Sequence, residues 1–373
     1  MFYLLTSVIS AAYVALMLSY LYGWNKTGNW LLKPGTGNQE SATRVSIIIP
    51  ARNEEHTILN CLSSIYKQVF PLTGFEVIVM DDHSTDDTKE KIQLQRHENL
   101  KLISLSKDKT GKKHAISEGI KQASGTLIIT TDADCEMGEN WLSSIVSFYE
   151  ERKPKMIVAP VLLIGENSFQ EKIQGLEMTA LTACACASIN FNLPILCSGA
   201  NLAYEKSAFL SVNGFEGVDK IATGDDIFLM LKVHNKFPKQ IAYLRSKEAR
   251  VFTNPARSTS EAFWQRKRWA SKTFSYGFNH ITGIAILIFL ANFLILFSGI
   301  MSAISLKFVF VPAICISAKF LVDFMLLYAA SSYFKKEFNP FVFAAASVFY
   351  PVYVMLVGFI SPFSNYSWKG RRY

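Results

Sequence analysis

The apolar positions divide the chain into three stretches. Residues 1–23, "MFYLLTSVISAAYVALMLSYLYG", carry no charge and are long enough to span a bilayer. No basic n-region precedes this run and no cleavage signal follows it, so it reads as a membrane anchor and not as a signal peptide. From Thr43 to about Phe252 the pattern changes. "VSIIIP" (45–50) reads as a buried strand, and Ile58, Leu59, Leu62, Ile65 and Tyr66 then recur at helical spacing between Glu54 and Gln68. "EVIVM" (76–80) predicts a second strand, with a helix from about Thr88. "LKLISL" (100–105) predicts a third, with a helix from Lys112 to Ala123, and "LIIT" (127–130) a fourth. Apolar strands alternating with helices predict an α/β domain whose parallel sheet is covered on both faces. Charge disappears again from Ile281 to Ser305, and two more apolar segments follow near 308–331 and 341–361, separated by "YFKKEF". The expected organisation is an anchor at 1–23, an α/β domain at 43–255 and an interfacial amphipathic segment at 256–280. C-terminal transmembrane helices within 281–361 and a basic tail at 362–373 complete it.

Polar residues gather where the strands end. "ARNEE" follows the first strand, "DDHSTD" the second, "KDKTGKKH" the third and "TDADC" the fourth. In a parallel sheet ligands bind beyond the carboxyl ends of the strands, so Arg52, Asn53, Asp82, Lys112, Asp132 and Asp134 are expected on one rim. One such loop would be ordinary turn chemistry; four together predict a site. Asp132 and Asp134 stand one residue apart, and two such charges need a cation or hydrogen-bond donors to meet them. Carboxylate and water oxygens suit Mg²⁺ or Mn²⁺, which bind through one or two carboxylates together with substrate phosphates. No GxGxxG follows a strand, and "TGKK" lacks the spacing of a P-loop. This disfavours a dinucleotide oxidoreductase or a P-loop ATPase and leaves a metal-bound nucleoside diphosphate, with Asp82 placed to accept from a base N–H.

Composition sharpens this picture. Half of the residues are hydrophobic and 18% are charged, a balance that suits a membrane-embedded chain. Between Arg245 and Lys272 there are eight Lys or Arg against Glu248 and Glu261. Such a belt suits anionic lipid headgroups or phosphates as well as nucleic acid, and the apolar segments beside it favour the first two, so no nucleic-acid partner is expected. The six cysteines, 61, 135, 184, 186, 197 and 315, show no CxxC spacing, so free buried thiols in a reducing compartment are expected rather than zinc. Lys26 and Lys33 follow the anchor, which predicts a multi-pass protein with a cytoplasmic domain, in the plasma membrane if the source is prokaryotic. Lys335 and Lys336 agree after two further crossings, but a third crossing puts "WKGRRY" outside, against the rule. Either that tail is external or one segment does not span. Lys319 and Asp323, four apart in an apolar segment, are placed to pair.

Seven motifs, in order, resemble a membrane-bound family 2 glycosyltransferase with a GT-A (Rossmann-like) fold. They are "IIIPARNEE", "VMDDHSTDDT", "GKKHAISEGI", "TDADC", "SGANLAY", "TGDDIFL" and "QRKRW", between Val45 and Trp269. The resemblance implies that Pro50, Ala51, Arg52, Asn53, Glu54 and Asp82, with Lys112, hold the nucleotide of a UDP-sugar. It places Asp132 near the ribose and Asp134 on the metal. It makes Asp226, preceded by Asp225, the general base, and puts Gln265, Arg268 and Trp269 beside the diphosphate and the acceptor. Ser117 stands where the family often has Asn, and Asp225 where Glu is more frequent. Two plainer roles compete: Asp226 as a helix N-cap, and Trp269, with Phe263 and Trp264, as an interfacial aromatic. The implied activity is inverting transfer of a hexose from a UDP-hexose. A membrane lipid receiving one sugar is the expected acceptor, because an anchor and three largely apolar segments are thin walls for a polymer tunnel. The ending "WKGRRY" also resembles the tails of ceramide and carotenoid glucosyltransferases. A processive polysaccharide synthase is the alternative within the family. A non-catalytic nucleotide-binding membrane scaffold is the alternative outside it, and loss of the base or of the aspartate pair would be its mark.

Overall fold

We describe a computed structural model of the chain over residues 2–33, 41–218, 221, 224–272, 277, 279–305 and 309–360, with the backbone alone of 367–368 and 371–372. The opening apolar run forms α1 (Phe2–Lys26). The first half of the domain then runs β1 (Val45–Ala51), α2 (Ile58–Tyr66), β2 (Phe75–Asp81), α3 (Thr88–Gln93), β3 (Leu100–Ser104), α4 (Lys112–Gln122) and β4 (Leu127–Thr130). After it come β5 (Cys135–Met137), α5 (Trp141–Arg152), β6 (Met156–Val158), β7 (Val161–Leu163), α6 (Phe169–Asn190), β8 (Leu202–Glu205) and α7 (Lys206–Ser211). The domain closes with α8 (Asp225–Lys236), β9 (Ile241–Tyr243), β10 (Val251–Thr253) and α9 (Thr259–Ala270). The long helices α10 (His280–Ile304), α11 (Phe310–Phe334) and α12 (Pro340–Ile360) follow, and a short hairpin of β11 (Ser367–Trp368) and β12 (Arg371–Arg372) ends the chain. The side chains of 361–373, and with them the sidedness of "WKGRRY", lie outside the described residues.

The seven-stranded sheet has the order β3-β2-β1-β4-β8-β6-β9. The first four are parallel neighbours, as expected, but β8 pairs antiparallel with both β4 and β6. The sheet is therefore mixed, not parallel throughout. The reversal has a use: Leu202, the first residue of β8, pairs with Thr130, the last of β4. The loop entering β8 thus shares a rim with the carboxyl ends of β1 to β4. Strand residues alternate between the two faces. Ile47, Ile49, Val77 and Val79 pack under α2 and α5, whereas Ile48, Ile78 and Met80 meet α4, α6 and α8. Helix α2 begins at Ile58, the first of the apolar positions at helical spacing; in the segment before it the Glu54 N–H is taken by Thr88 Oγ1 (2.7 Å) and the Glu55 N–H by Asp86 Oδ2 (3.1 Å).

Four helices among the described residues are long and apolar enough to cross a membrane: α1, α10, α11 and α12. At 25 residues, α1 reaches about 37 Å, more than a typical hydrocarbon core. These helices are not a separate body. Tyr20 and Trp24 of α1 and Leu326, Ala330 and Phe334 of α11 share one apolar core with α4, α6 and α8. Arg245 stitches the junction. Its guanidinium donates to the carbonyls of Trp24 (2.8 Å) and Thr27 (2.7 Å) at the end of α1. It also lies 4.1 Å from the Trp24 ring and 4.3 Å from the Tyr333 ring. Within the bundle Lys319 pairs with Asp323, and Tyr13 of α1 donates to the same carboxylate at 2.7 Å. The expected basic belt changes character here. Arg245, Arg266, Lys267 and Lys272 are all buried, so half of its cations are withdrawn from a headgroup-facing surface.

Candidate active site

The first two strand-end loops are laced together. Arg52 Nη1 donates to the carbonyls of Asp82 (2.6 Å) and His83 (3.1 Å). Asn53, at a φ of 52° that Asn tolerates, accepts from the Thr85 N–H at 2.9 Å and donates its own N–H to Ser84 Oγ at 3.1 Å. Asp82 is buried, and its Oδ2 accepts from the Gly111 N–H (3.0 Å) at the start of α4. Three loops from neighbouring strands are thereby fixed to one another before any ligand arrives.

Lys112, the first residue of α4, reaches across to the fourth loop. Its Nζ lies 2.5 Å from Asp132 Oδ1 and 3.9 Å from Asp225 Oδ2. Burial opposes its charge, but Asp132, Asp225 and Asp226 outweigh that and hold the ammonium well above the usual lysine range. The loop entering β8 meets this pair through Gly199, where an added Cβ would sit 3.2 Å from Lys112 Nζ and 3.4 Å from Asp225 Oδ2. Asp134 takes a different direction, with its Oδ2 accepting from Thr253 Oγ1 at 3.4 Å. The nearby thiols of Cys61 and Cys135 are buried, and burial pushes both up, so they stand as neutral groups.

The opposite wall comes from α8 and α9. Gly224, with φ 82°, occupies the N-cap of α8, so Asp226 is not the cap residue but lies within the first turn. Its two oxygens accept from the Ile227 N–H (2.8 Å) and the Gly199 N–H (3.1 Å). Asp225 is more deeply buried. Burial raises its pKa, the charges of Asp226 and Asp132 raise it further, and Lys112 and Lys272 pull the other way. The two aspartates therefore differ in setting: Asp225 is buried and turned toward Lys112, while Asp226 is half-buried and held by main-chain donors. From α9, Arg266 forms a two-pronged pair with Glu177 of α6 (2.9 and 2.7 Å) and lies 5.0 Å from the Trp269 ring.

The nucleotide, metal, base and acceptor residues expected from the sequence all line one cavity of about 730 Å³: Pro50, Ala51, Arg52, Asn53, Glu54, Asp82, Lys112, Asp132, Asp134, Asp225, Asp226, Gln265, Arg268 and Trp269. Gln174, Gly199, Thr253 and Lys272 line it as well and were not singled out. Gly199 lies inside "SGANLAY", a stretch whose pattern was visible although its contacts were not. No group of three or more His, Cys, Asp or Glu gathers as a metal cage among the described residues. The free cysteines likewise form no zinc set.

Residues 46–209 match the family model described as "Glycosyl transferase family 2". Among curated proteins, the chain is 28% identical over 244 residues to the dolichyl N-acetyl-α-D-glucosaminyl phosphate 3-β-D-2,3-diacetamido-2,3-dideoxy-β-D-glucuronosyltransferase of Methanococcus voltae. That match covers 62% of this chain and 71% of the relative. A poly-β-1,6-N-acetyl-D-glucosamine synthase from Staphylococcus epidermidis is 27% identical over 255 residues, covering 67% of this chain and 59% of the synthase. The chain thus spans less than two thirds of that synthase. Among solved structures, a mannosyltransferase from Pyrobaculum calidifontis in complex with GDP-mannose and Mn²⁺ superposes with a TM-score of 0.57. It shares 18% identity, over 97% of this chain and 99% of that one, which is a likeness of fold.

Proposed function

We propose that this chain is a family 2 glycosyltransferase of the GT-A fold that moves one hexose from a UDP-sugar to a hydroxyl of a membrane lipid, a reading supported by the family match, the Methanococcus relative and the likeness of fold. Its enzymatic character sets the non-catalytic scaffold aside. The observation that carries the reading is the shared cavity, in which the loops of β1 to β4 face the carboxylates of α8 across from α9. The same α9 packs on α12 of the apolar bundle, so a headgroup leaving the bilayer meets the cavity at its membrane edge. The Methanococcus relative, named for a lipid-linked acceptor, supports this choice, while the Staphylococcus synthase supports the polymer alternative.

The chemistry follows from the chain's own groups. Asp226 takes the proton of the acceptor hydroxyl, and the Gly199 and Ile227 N–H groups hold its oxygens in place as the base. The acceptor oxygen bonds to the anomeric carbon while the bond from that carbon to the diphosphate breaks, which inverts the centre. Arg268 meets the departing phosphate through its planar fork, and Trp269 gives the acceptor an aromatic face. The laced loops around Arg52, Asn53 and Asp82 shape the nucleotide end. A divalent ion fits at Asp134, whose carboxylate lines the cavity while Asp132 is turned to Lys112. Among the described residues no group of three or more His, Cys, Asp or Glu gathers there, and a site with so few protein carboxylates suits Mg²⁺ or Mn²⁺. When bound the ion supplies Lewis-acid stabilisation of the diphosphate.

The test is incubation of membranes carrying the protein with labelled UDP-sugars, and GDP-sugars as a second donor set. An organic-extractable product bearing a single sugar, lost in excess chelator and regained with Mg²⁺ or Mn²⁺, is the expected result. Long water-soluble chains retained by the enzyme would replace the lipid reading with the polymer one. Undiminished turnover in chelator would remove the metal.

A further inference from the structure

Lys272 lies two residues beyond α9, one helical turn past Arg268, and lines the catalytic cavity although it is only 8% exposed. Its ammonium has no hydrogen-bond or ion-pair partner among the described residues. Other cations around this cavity are engaged: Lys112 with Asp132, Arg266 with Glu177, and Arg52 with two carbonyls. The backbone opposite makes room for it. A Cβ on Gly224, already at a φ of 82°, would come within 2.9 Å of Lys272 Cδ.

The carboxylates nearby do not form an ion pair with it. Asp226 accepts from two main-chain N–H groups and Asp225 turns its Oδ2 toward Lys112. Burial pushes the Lys272 ammonium below the usual lysine range. Asp226 and Asp225 pull it back up, and Arg268 and Lys112 add to the downward push. The amino end of α8, which carries the positive end of the helix dipole, lies beside it as well. A buried cation beside other positive charge is costly unless an anion completes the site. The space it lines is the one in which a nucleotide's phosphates would sit.

We propose that Lys272 is a further catalytic residue, the ammonium that meets the diphosphate's growing charge as the sugar–phosphate bond breaks. This rests on the nucleotide-sugar reading above. In that step the acceptor oxygen supplies the pair for the new bond and its proton passes to Asp226. The pair of the broken bond leaves with the diphosphate, whose charge rises by one. Lys272 donates a hydrogen bond to that oxygen and transfers no proton. Its role is distinct from that of Asp226, which serves the acceptor, and it is separated from Lys112, which is occupied by Asp132.

The experiment uses the full-length protein in detergent micelles, comparing wild type with Lys272→Met, Lys272→Gln and Lys272→Arg. Affinities for UDP and UMP are measured by titration, with GDP and GMP as the second pair, alongside kcat. Loss of the ammonium is expected to weaken UDP at least tenfold while leaving UMP unchanged, because UMP lacks the second phosphate. It should also lower kcat about 10²- to 10³-fold, the usual loss for one preorganised donor at a developing charge. Lys272→Arg should retain a larger share. Unchanged UDP affinity with only a shifted acid limb of the pH profile would overturn the proposal, because Lys272 would then act through Asp226. Wild-type turnover in Lys272→Met would overturn it too. UMP binding reports folding, and if the Met variant loses it, the Gln and Arg variants carry the same comparison. A wild type that binds neither UDP nor GDP would instead sink the nucleotide-sugar reading.

Discussion

The two rims of the main sheet treat buried charge in opposite ways. At the amino rim, Glu76 accepts from Ser46 Oγ (2.7 Å), from the Ser124 N–H and hydroxyl (both 2.6 Å) and from Lys101 (2.7 Å). Burial opposes its charge, yet these donors hold the carboxyl down at about 2. At the carboxyl rim, Asp225 is buried with its pKa raised, and Lys272 is buried with its pKa lowered. One rim is complete within the protein and contributes stability. At the other, Lys112 is satisfied by Asp132 but Asp225 and Lys272 are each shifted against their charged forms, and that is the condition in which a charged substrate gains most by arriving. Perturbed groups in a cleft are a recognised mark of chemistry, and here the same sheet supplies its own control.

The largest effect expected is on the open rim. Asp226→Asn should lower sugar transfer by about two to four orders of magnitude, the range of a general-base contribution, with UDP affinity retained. Asp225→Asn should cost far less, measured in the same assay. Equal losses would mean that the pair acts as one unit. Next comes the closed rim. Glu76 has a folded value of about 2, below the ordinary glutamate value near 4.3. Its contribution is therefore full above about pH 4.3 and fades as pH falls toward 2, amounting to about 3 kcal/mol. Glu76→Gln should remove most of that at neutral pH in thermal or denaturant unfolding, with turnover per folded molecule unchanged.

The smallest effect has the opposite sign. Lys272→Met should stabilise the ligand-free protein by about 1 kcal/mol, the low end for replacing buried ionised groups with apolar ones. The unfolded chain binds the Lys272 proton more tightly than the folded one. The gain should therefore shrink as pH rises from the lowered folded value toward the ordinary lysine range. A destabilised Lys272→Met in the absence of nucleotide would erase the contrast between the rims.

What the sequence made legible was local. Apolar runs marked β1 to β4 and the long helices because strand and helix burial leave a period within a few residues. The polar clusters at strand ends were visible for the same reason. The reversed β8 was not, since four residues carry no sign of which neighbour they will pair with. Lys272 was missed because its meaning depends on Gly224 and α8, elements far away in sequence. The charge count between Arg245 and Lys272 was right as a count, but it could not distinguish cations that face lipid from those, such as Arg245 and Arg266, that are used inside. The expected pairing of Lys319 with Asp323 is found because four residues along one helix settle it locally.

The Arg245 junction also sets a schedule for synthesis. The carbonyls of Trp24 and Thr27 emerge with the first helix, but the guanidinium that meets them is encoded 221 positions after Trp24. Tyr333, whose ring covers that guanidinium and whose hydroxyl donates to the Arg245 carbonyl, comes later still. At ribosomal rates of about 5–20 residues per second, roughly 15–60 s separate the two ends of this junction. During that interval α1 lacks α11, the helix it packs against most. The first helix to be made is among the last to be finished, with Tyr13 and Tyr20 waiting for partners that arrive late in the chain.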